Sequence, residues 1–156
     1  MQIDLSLSPM GFALLQAQLA SDAGEVPVGA VIWDPVRSEF VAAAHNEPIA
    51  NNDPTAHAEI LAIRSAAEKL GNYRLNGLHL FVTLEPCAMC AGAISMARLE
   101  KVIFAARDEK GGAVIHGPRF FEQPTCHWRP EIEQDTQAAE KASAMLRDFF
   151  KARRAT

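Results

Sequence analysis

The stretch "LHLFVTLEP", residues 78–86, constrains the fold more than any other part of the chain. It is apolar almost without interruption instead of alternating, so as a strand it must be covered on both faces. Such a strand belongs at the centre of a sheet between two layers of helices. The sequence around it supplies them. A first helix is expected from about Ser8 to Ser21. "VPVGAVIWD" then reads as a buried strand, with Asp34-Pro35 as turn chemistry and "EFVAAAHN" as its hairpin partner. "NNDP" leads into a helix over Thr55 to Leu70, with Asp53 as N-cap, Pro54 in the first turn and Gly71 as the stop. "CAMCAGAISMAR" reads as a further helix and "KVIFAAR" as another strand. Residues 108–130 are rich in Gly and Pro and read as irregular, and residues 131–154 read as one closing helix. Helices alternating with strands predict a three-layer α/β/α domain spanning residues 1–156. The first strand pair would be antiparallel and the later strands parallel.

A chain of 156 residues that is 49% hydrophobic suits one domain with a substantial core. Its net charge of −4 argues against a broadly basic nucleic-acid coat, but not against a local basic patch. No apolar run of about 18 residues is present, so no membrane span is expected. The N-terminal segment carries Asp4 where a signal peptide needs positive charge, and Gln16 and Gln18 interrupt its apolar run. It reads as an amphipathic helix. Three cysteines make a poor disulfide framework and suit a reducing compartment, with the cytoplasm as the expected location.

Two short motifs carry the chemistry. "DPTAHAEILAIR" places His57 and Glu59 two residues apart, a spacing that does not share a helix face. "EPCAMC" places Cys87 and Cys90 at i, i+3, a spacing that does. Behind Pro86 the cysteines fall in a first helical turn, where backbone N–H groups and the helix dipole favour thiolates. His57, Cys87 and Cys90 make three zinc ligands. Structural zinc takes four, so a fourth position is left for water, as in catalytic sites. Glu59 is then free to handle the protons of that water. His-x-Glu followed by Pro-Cys-x-x-Cys is a known signature of zinc nucleobase deaminases.

Plainer readings stand beside this one. A Cys-x-x-Cys pair alone could be a redox pair or half of a structural zinc site, although neither has a use for His57 and Glu59. Taken singly, His57 could be a capping residue and Glu59 a solvated one. Adjacent residues chelate one ion poorly, so Cys126 and His127 read as a packing or substrate-facing pair. His79 reads as a satisfied core or edge residue, and no motif supports His45 or His116. Ala144, Met145, Phe149 and Phe150 read first as a packing stripe.

The stretches "EVPVGAV", "DPTAHAEI", "NYRL", "VTLEPCAMCAGA" and "ARDEKGGA" resemble those of bacterial tRNA-specific adenosine deaminases, in the cytidine deaminase-like superfamily. The resemblance is strong from Glu25 to about Ala113 and weaker through "RDFFKARR"; residues 114–130 match least. It implies a mixed five-stranded sheet flanked by helices, a homodimer and one zinc ion per subunit. It also implies hydrolytic deamination of adenosine to inosine at the wobble position of a tRNA anticodon. By the same resemblance Asn46 contacts the target base, and Ala58 and Pro86 belong to the substrate site. Asp108 and Lys110 lie near the flipped nucleotide, and Phe149, Phe150, Arg153 and Arg154 meet the anticodon loop. Basic charge beside aromatic faces suits single-stranded RNA; the alternative is a solvated helix end with core phenylalanines. The competing functions are deamination of a free base or nucleoside, and a non-catalytic RNA-binding or structural zinc protein. An activity assay on wobble adenosine and a count of zinc ligands separate them.

Overall fold

The computed structural model describes residues 7–154; Asp4, used above against a signal peptide, lies outside them. The elements run α1 (Pro9–Asp22), β1 (Gly29–Asp34), β2 (Glu39–His45), α2 (Ala58–Leu70), β3 (His79–Leu84), α3 (Ala88–Ala97), β4 (Lys101–Ala106), a 3-10 turn (Phe120–Glu122), β5 (Glu131–Gln134) and α4 (Thr136–Arg154). One sheet has the order β2-β1-β3-β4-β5. β1 pairs antiparallel with both β2 and β3, while β3–β4 and β4–β5 are parallel. The expected mixed five-stranded sheet between helices is therefore the fold.

Strand alternation divides the core into two layers. Ala30, Ile32, Leu80, Val82, Val102 and Phe104 point towards α2 and α3. Val31, Ile103 and Ala105 point towards α1 and α4. Small residues let the helices sit close: Ala58, Ala62 and Ala66 recur every four residues along α2 and are fully buried. On the opposite face, a Cβ on Gly29 would lie 2.0 Å from the Ala13 carbonyl oxygen, so α1 rests directly on the β1 backbone. Phe104, 1% exposed, fills the α2–α3 layer; truncating such a side chain to Ala costs about 3–5 kcal/mol.

Three features differ from the sequence reading. Residues 131–134 are an edge strand and not the head of the last helix: Glu-Ile-Glu-Gln pairs with Lys101–Phe104. Asp135 starts α4 instead, its Oδ1 accepting the N–H groups of Gln137 and Ala138 at 3.1 Å each. Helix α2 starts three residues later than expected, because Asp53 spends its carboxylate on a turn, accepting Thr55 N–H at 2.8 Å and Thr55 Oγ1–H at 2.7 Å. Helix α1 is only partly amphipathic, leaving Leu15 and Leu19 43% and 37% exposed. Gly71 does end α2, at φ 63°. Among the described residues no helix is long and apolar enough to cross a membrane.

Candidate active site

The strand pairing brings the carboxyl ends of β2, β3 and β4 and the amino end of β1 to one edge of the sheet. Helices α2 and α3 both begin there, the place where open α/β sheets bind ligands. His57 is the N-cap of α2, in extended backbone conformation (φ −73°, ψ 153°). Glu59 follows as the second residue of the helix proper. One residue is therefore off the helix and the other on it, which resolves their awkward spacing. Cys87 is the extended N-cap of α3 (φ −75°, ψ 176°), and Cys90 faces inward from the first turn.

The two helix starts place the three donors together. Cys87 Sγ and Cys90 Sγ lie 3.6 Å and 3.5 Å from His57 Nδ1. Among the described residues this is the cluster that could hold a metal ion, with all ligand atoms within 4.8 Å of one another. Two thiols and an imidazole converging from separate elements fit a tetrahedral zinc ion with one open position. A hydrogen bond from Cys90 holds the Cys87 thiol down to about 4, against its burial. The same bond, with burial, pushes Cys90 up. The Cys87 contact raises His57. These groups share protons that a bound metal would displace. Glu59 is 4% exposed, and burial pushes its carboxyl up to about 7, with the Cys87 charge adding to the rise. A carboxyl titrating near neutrality can both take and return a proton.

The cleft at this edge measures about 340 Å³ and is lined by Val26, Val28, Asn46, Pro48, His57, Glu59, Leu84, Glu85, Cys87, Asp108 and Gly111. A larger cleft of about 720 Å³ lies between α1 and α4, lined by residues such as Gln18, Ser21 and Met145, and holds no such cluster. Asn46 is 7% exposed, and its Oδ1 accepts the Ala58 N–H at 2.8 Å. That leaves the Asn46 amide donor for the cleft. Pro86 is buried, and its carbonyl accepts the Ala113 N–H at 2.9 Å. Asp108 Oδ1 accepts the N–H groups of Lys110 and Gly111 at 3.2 Å and 2.9 Å, folding the exposed Lys110 into a turn at the rim.

The C-terminal residues form a second cleft of about 400 Å³, where Phe149, Phe150, Arg153 and Arg154 meet Gly24, Glu25, Val26, Pro48 and Ile49. Val26 and Pro48 line both clefts, so the two adjoin. Phe149 is buried and Phe150 is 42% exposed. Arg153 stacks 5.0 Å above the Phe149 ring and donates to the Gly24 carbonyl at 3.0 Å. The remaining candidates behave structurally. Cys126 is buried and donates to the Trp128 carbonyl at 3.0 Å, while His127 is exposed. His79 pairs with Glu100 at 3.2 Å at the far end of the sheet.

Two buried carboxylates escape sequence reasoning, Glu25 in the C-terminal cleft and Glu85 in the active-site cleft. Glu25, 2% exposed, accepts the N–H groups of Ile49 and Ala50 at 3.1 Å and 2.8 Å. Glu85 does the same for the 108–116 loop. For Glu85, the available signal is a charged residue closing an apolar strand.

Comparison with known proteins agrees with this geometry. The model of the MafB19-like deaminase family matches residues 8–154. A tRNA-specific adenosine deaminase from Agrobacterium fabrum is 48% identical over 145 residues, 93% of each chain. This chain belongs to the tRNA-specific adenosine deaminase family. A solved structure from work on A-to-I editing by tRNA:A34 deaminases at the wobble position of transfer RNA is 46% identical to this family member. It superposes with a TM-score of 0.85, covering 88% of this chain and 98% of that one. A guanine deaminase from Bacillus subtilis is more distant, at 31% identity and a TM-score of 0.60, covering 95% and 92%.

Proposed function

We propose that this deaminase hydrolyses adenosine to inosine at the wobble position of a tRNA anticodon, with zinc held by His57, Cys87 and Cys90. The observation that carries the reading is the buried Glu59 carboxylate beside a three-donor cluster, in a cleft that Asn46 also enters. Zinc held there supplies the Lewis acidity that makes a water nucleophilic near neutral pH. Glu59 would take one proton from that water and deliver it to N1 of the adenine as C6 is attacked; it would then take the proton of the new C6 hydroxyl and hand it to the C6 amino group, so that the C6–N bond breaks, ammonia leaves and the C6 carbonyl forms. Asn46 orients the base with its amide donor; the buried Ala58 holds that amide through its N–H, and the buried Pro86 holds the cleft wall through its carbonyl, which accepts the Ala113 N–H. Asp108 and Lys110 hold the rim. Phe149, Phe150, Arg153 and Arg154 receive the flanking nucleotides by stacking and charge. An unpaired loop nucleotide is the favourable substrate, because little stacking is lost when it is extruded.

The protein is read as a homodimer in the cytoplasm; the 81% exposure of Met96 on α3 offers an apolar contact for the dimer. The guanine deaminase likeness favours a second reading, deamination of a free base. In that case the C-terminal tail serves as a lid or dimer element, and small substrates turn over rapidly.

Incubating the zinc-loaded protein with a tRNA carrying wobble adenosine and sequencing the product separates the two, since inosine reads as guanosine. No conversion, with ammonia released from a free base, would replace the first reading by the second. Glu59→Ala is expected to keep zinc and fold while turnover falls by about 10²–10⁴; loss of zinc in that variant refutes the role given to Glu59.

A further inference from the structure

Glu85 follows β3 directly, and its own N–H extends the ladder to the Ala106 carbonyl at 2.8 Å. Its side chain is completely buried. The carboxylate is bound five times over, always by the segment after β4. Oε1 accepts the Asp108 N–H at 3.1 Å and lies 2.8 Å from His116 Nδ1. Oε2 accepts the successive N–H groups of Val114, Ile115 and His116 at 3.2, 3.0 and 3.1 Å. Successive backbone N–H groups form a concavity suited to an anion, and here the protein's own side chain fills it. The fit requires a glycine: a Cβ on Gly112 would stand 2.5 Å from Glu85 Cδ and Oε2. The same segment supplies Asp108 and Gly111 to the wall of the active-site cleft.

We infer that Glu85 is a positioning residue for the substrate, anchoring the 108–116 loop as one wall of the base cleft. Its effect reaches the substrate through Asp108 and not through proton transfer, which belongs to Glu59. The fold core does not need it, because β3 and β4 already pair along Leu80–Leu84 and Val102–Ala106. The inference rests on the proposed reading for its substrate, an RNA loop with wobble adenosine.

Glu85→Gln keeps the shape but turns an N–H₂ against N–H groups that need an acceptor. With zinc-loaded protein, this variant is expected to retain one zinc per chain and its circular dichroism. KM for a wobble-adenosine stem-loop should rise about tenfold with kcat reduced less than about threefold. Amide hydrogen exchange should quicken within residues 108–116 alone. His116→Ala removes one partner and leaves the carboxylate, so it keeps the inference testable if Glu85→Gln does not fold; its KM should rise about threefold. Unchanged KM in the folded variants overturns the inference. So does a collapse of kcat at constant KM, or a loss of zinc and a rise in exchange across the whole chain. If the wild type does not convert the stem-loop, the functional reading fails by itself. KM is then compared on the base that the wild type does deaminate, and loop exchange still tests the anchor.

Discussion

Asn46 and Ala58 join the end of β2 to the start of α2 through one hydrogen bond, 2.8 Å long, from the Ala58 backbone N–H to the Asn46 side-chain oxygen. An N–H can only meet the oxygen of that amide, so the amide's orientation is fixed before any substrate arrives. Its NH₂ is left to donate into the cleft. Asn46→Asp keeps an acceptor for Ala58 and offers the substrate no donor. It should leave the melting temperature within a few degrees while kcat/KM for wobble adenosine falls at least about 10²-fold. Equal activity in steady-state assays would show that the base does not rely on that donor.

Metal removal should act on stability as well as on turnover. Three donors converging from two helix starts repel or share protons until an ion replaces them, so binding favours the folded chain. Dialysis against a chelator should lower the melting temperature and stop inosine formation, and stoichiometric zinc should restore both. Cys90→Ser should lose stoichiometric zinc by elemental analysis; retention would mean that another residue completes the site.

The C-terminal helix should set affinity for RNA more than chemistry. Lys151 and Arg154 are exposed. Replacing both by Ala should weaken stem-loop binding and reduce the slope of log K against log salt by about 1.4, from about 0.7 per single-strand phosphate contact. Single-turnover rates at saturating RNA should stay near wild type. A slope that does not change would place these charges away from the nucleic acid.

Asp53 gives a pH dependence of definite sign. The Thr55 hydroxyl and N–H, with Arg64 at 3.8 Å, hold its carboxyl below the ordinary carboxylate range. A carboxyl lowered in the folded state stabilises above its unfolded value, near about 3.9, and loses that contribution as pH falls through the folded value. Chemical denaturation of Asp53→Asn at several pH values should show a shallower acid limb and a small loss at neutrality. A parallel acid limb would remove Asp53 from the account.

The cluster of candidate residues was legible because its members are local in sequence, and the structure brings His57, Cys87 and Cys90 together. His57 with Glu59, and Cys87 with Cys90, announce themselves by spacing, and the apolar run from Leu78 to Leu84 announces the central strand. What sequence announces poorly is a charge made structural by tertiary contact: Glu85 carries only the weak signal of a charged residue closing an apolar strand, and Glu25 carries none. Glu25 and Glu85 look like solvated residues until the backbone N–H groups of distant loops surround them. The strand at Glu131–Gln134 is hidden for a related reason. Its residues are good helix formers, and a parallel edge beside β4 overrides that preference. The start of α2 shifts because a turn at Asp53 competes successfully for the same carboxylate that could have capped a helix.

The extended residue at the head of α2 makes the site unevenly tolerant of change in chain length. Residues added at the exposed Asn51–Asn52 turn would enlarge a surface loop at modest cost, since closure entropy grows slowly with length. One residue added between His57 and Glu59 would swing the carboxylate by about 100° around the helix axis while the imidazole stayed in place. Relatives and engineered variants that vary in length should therefore do so on one side of that histidine only, with the three residues from 57 to 59 kept as an indivisible unit.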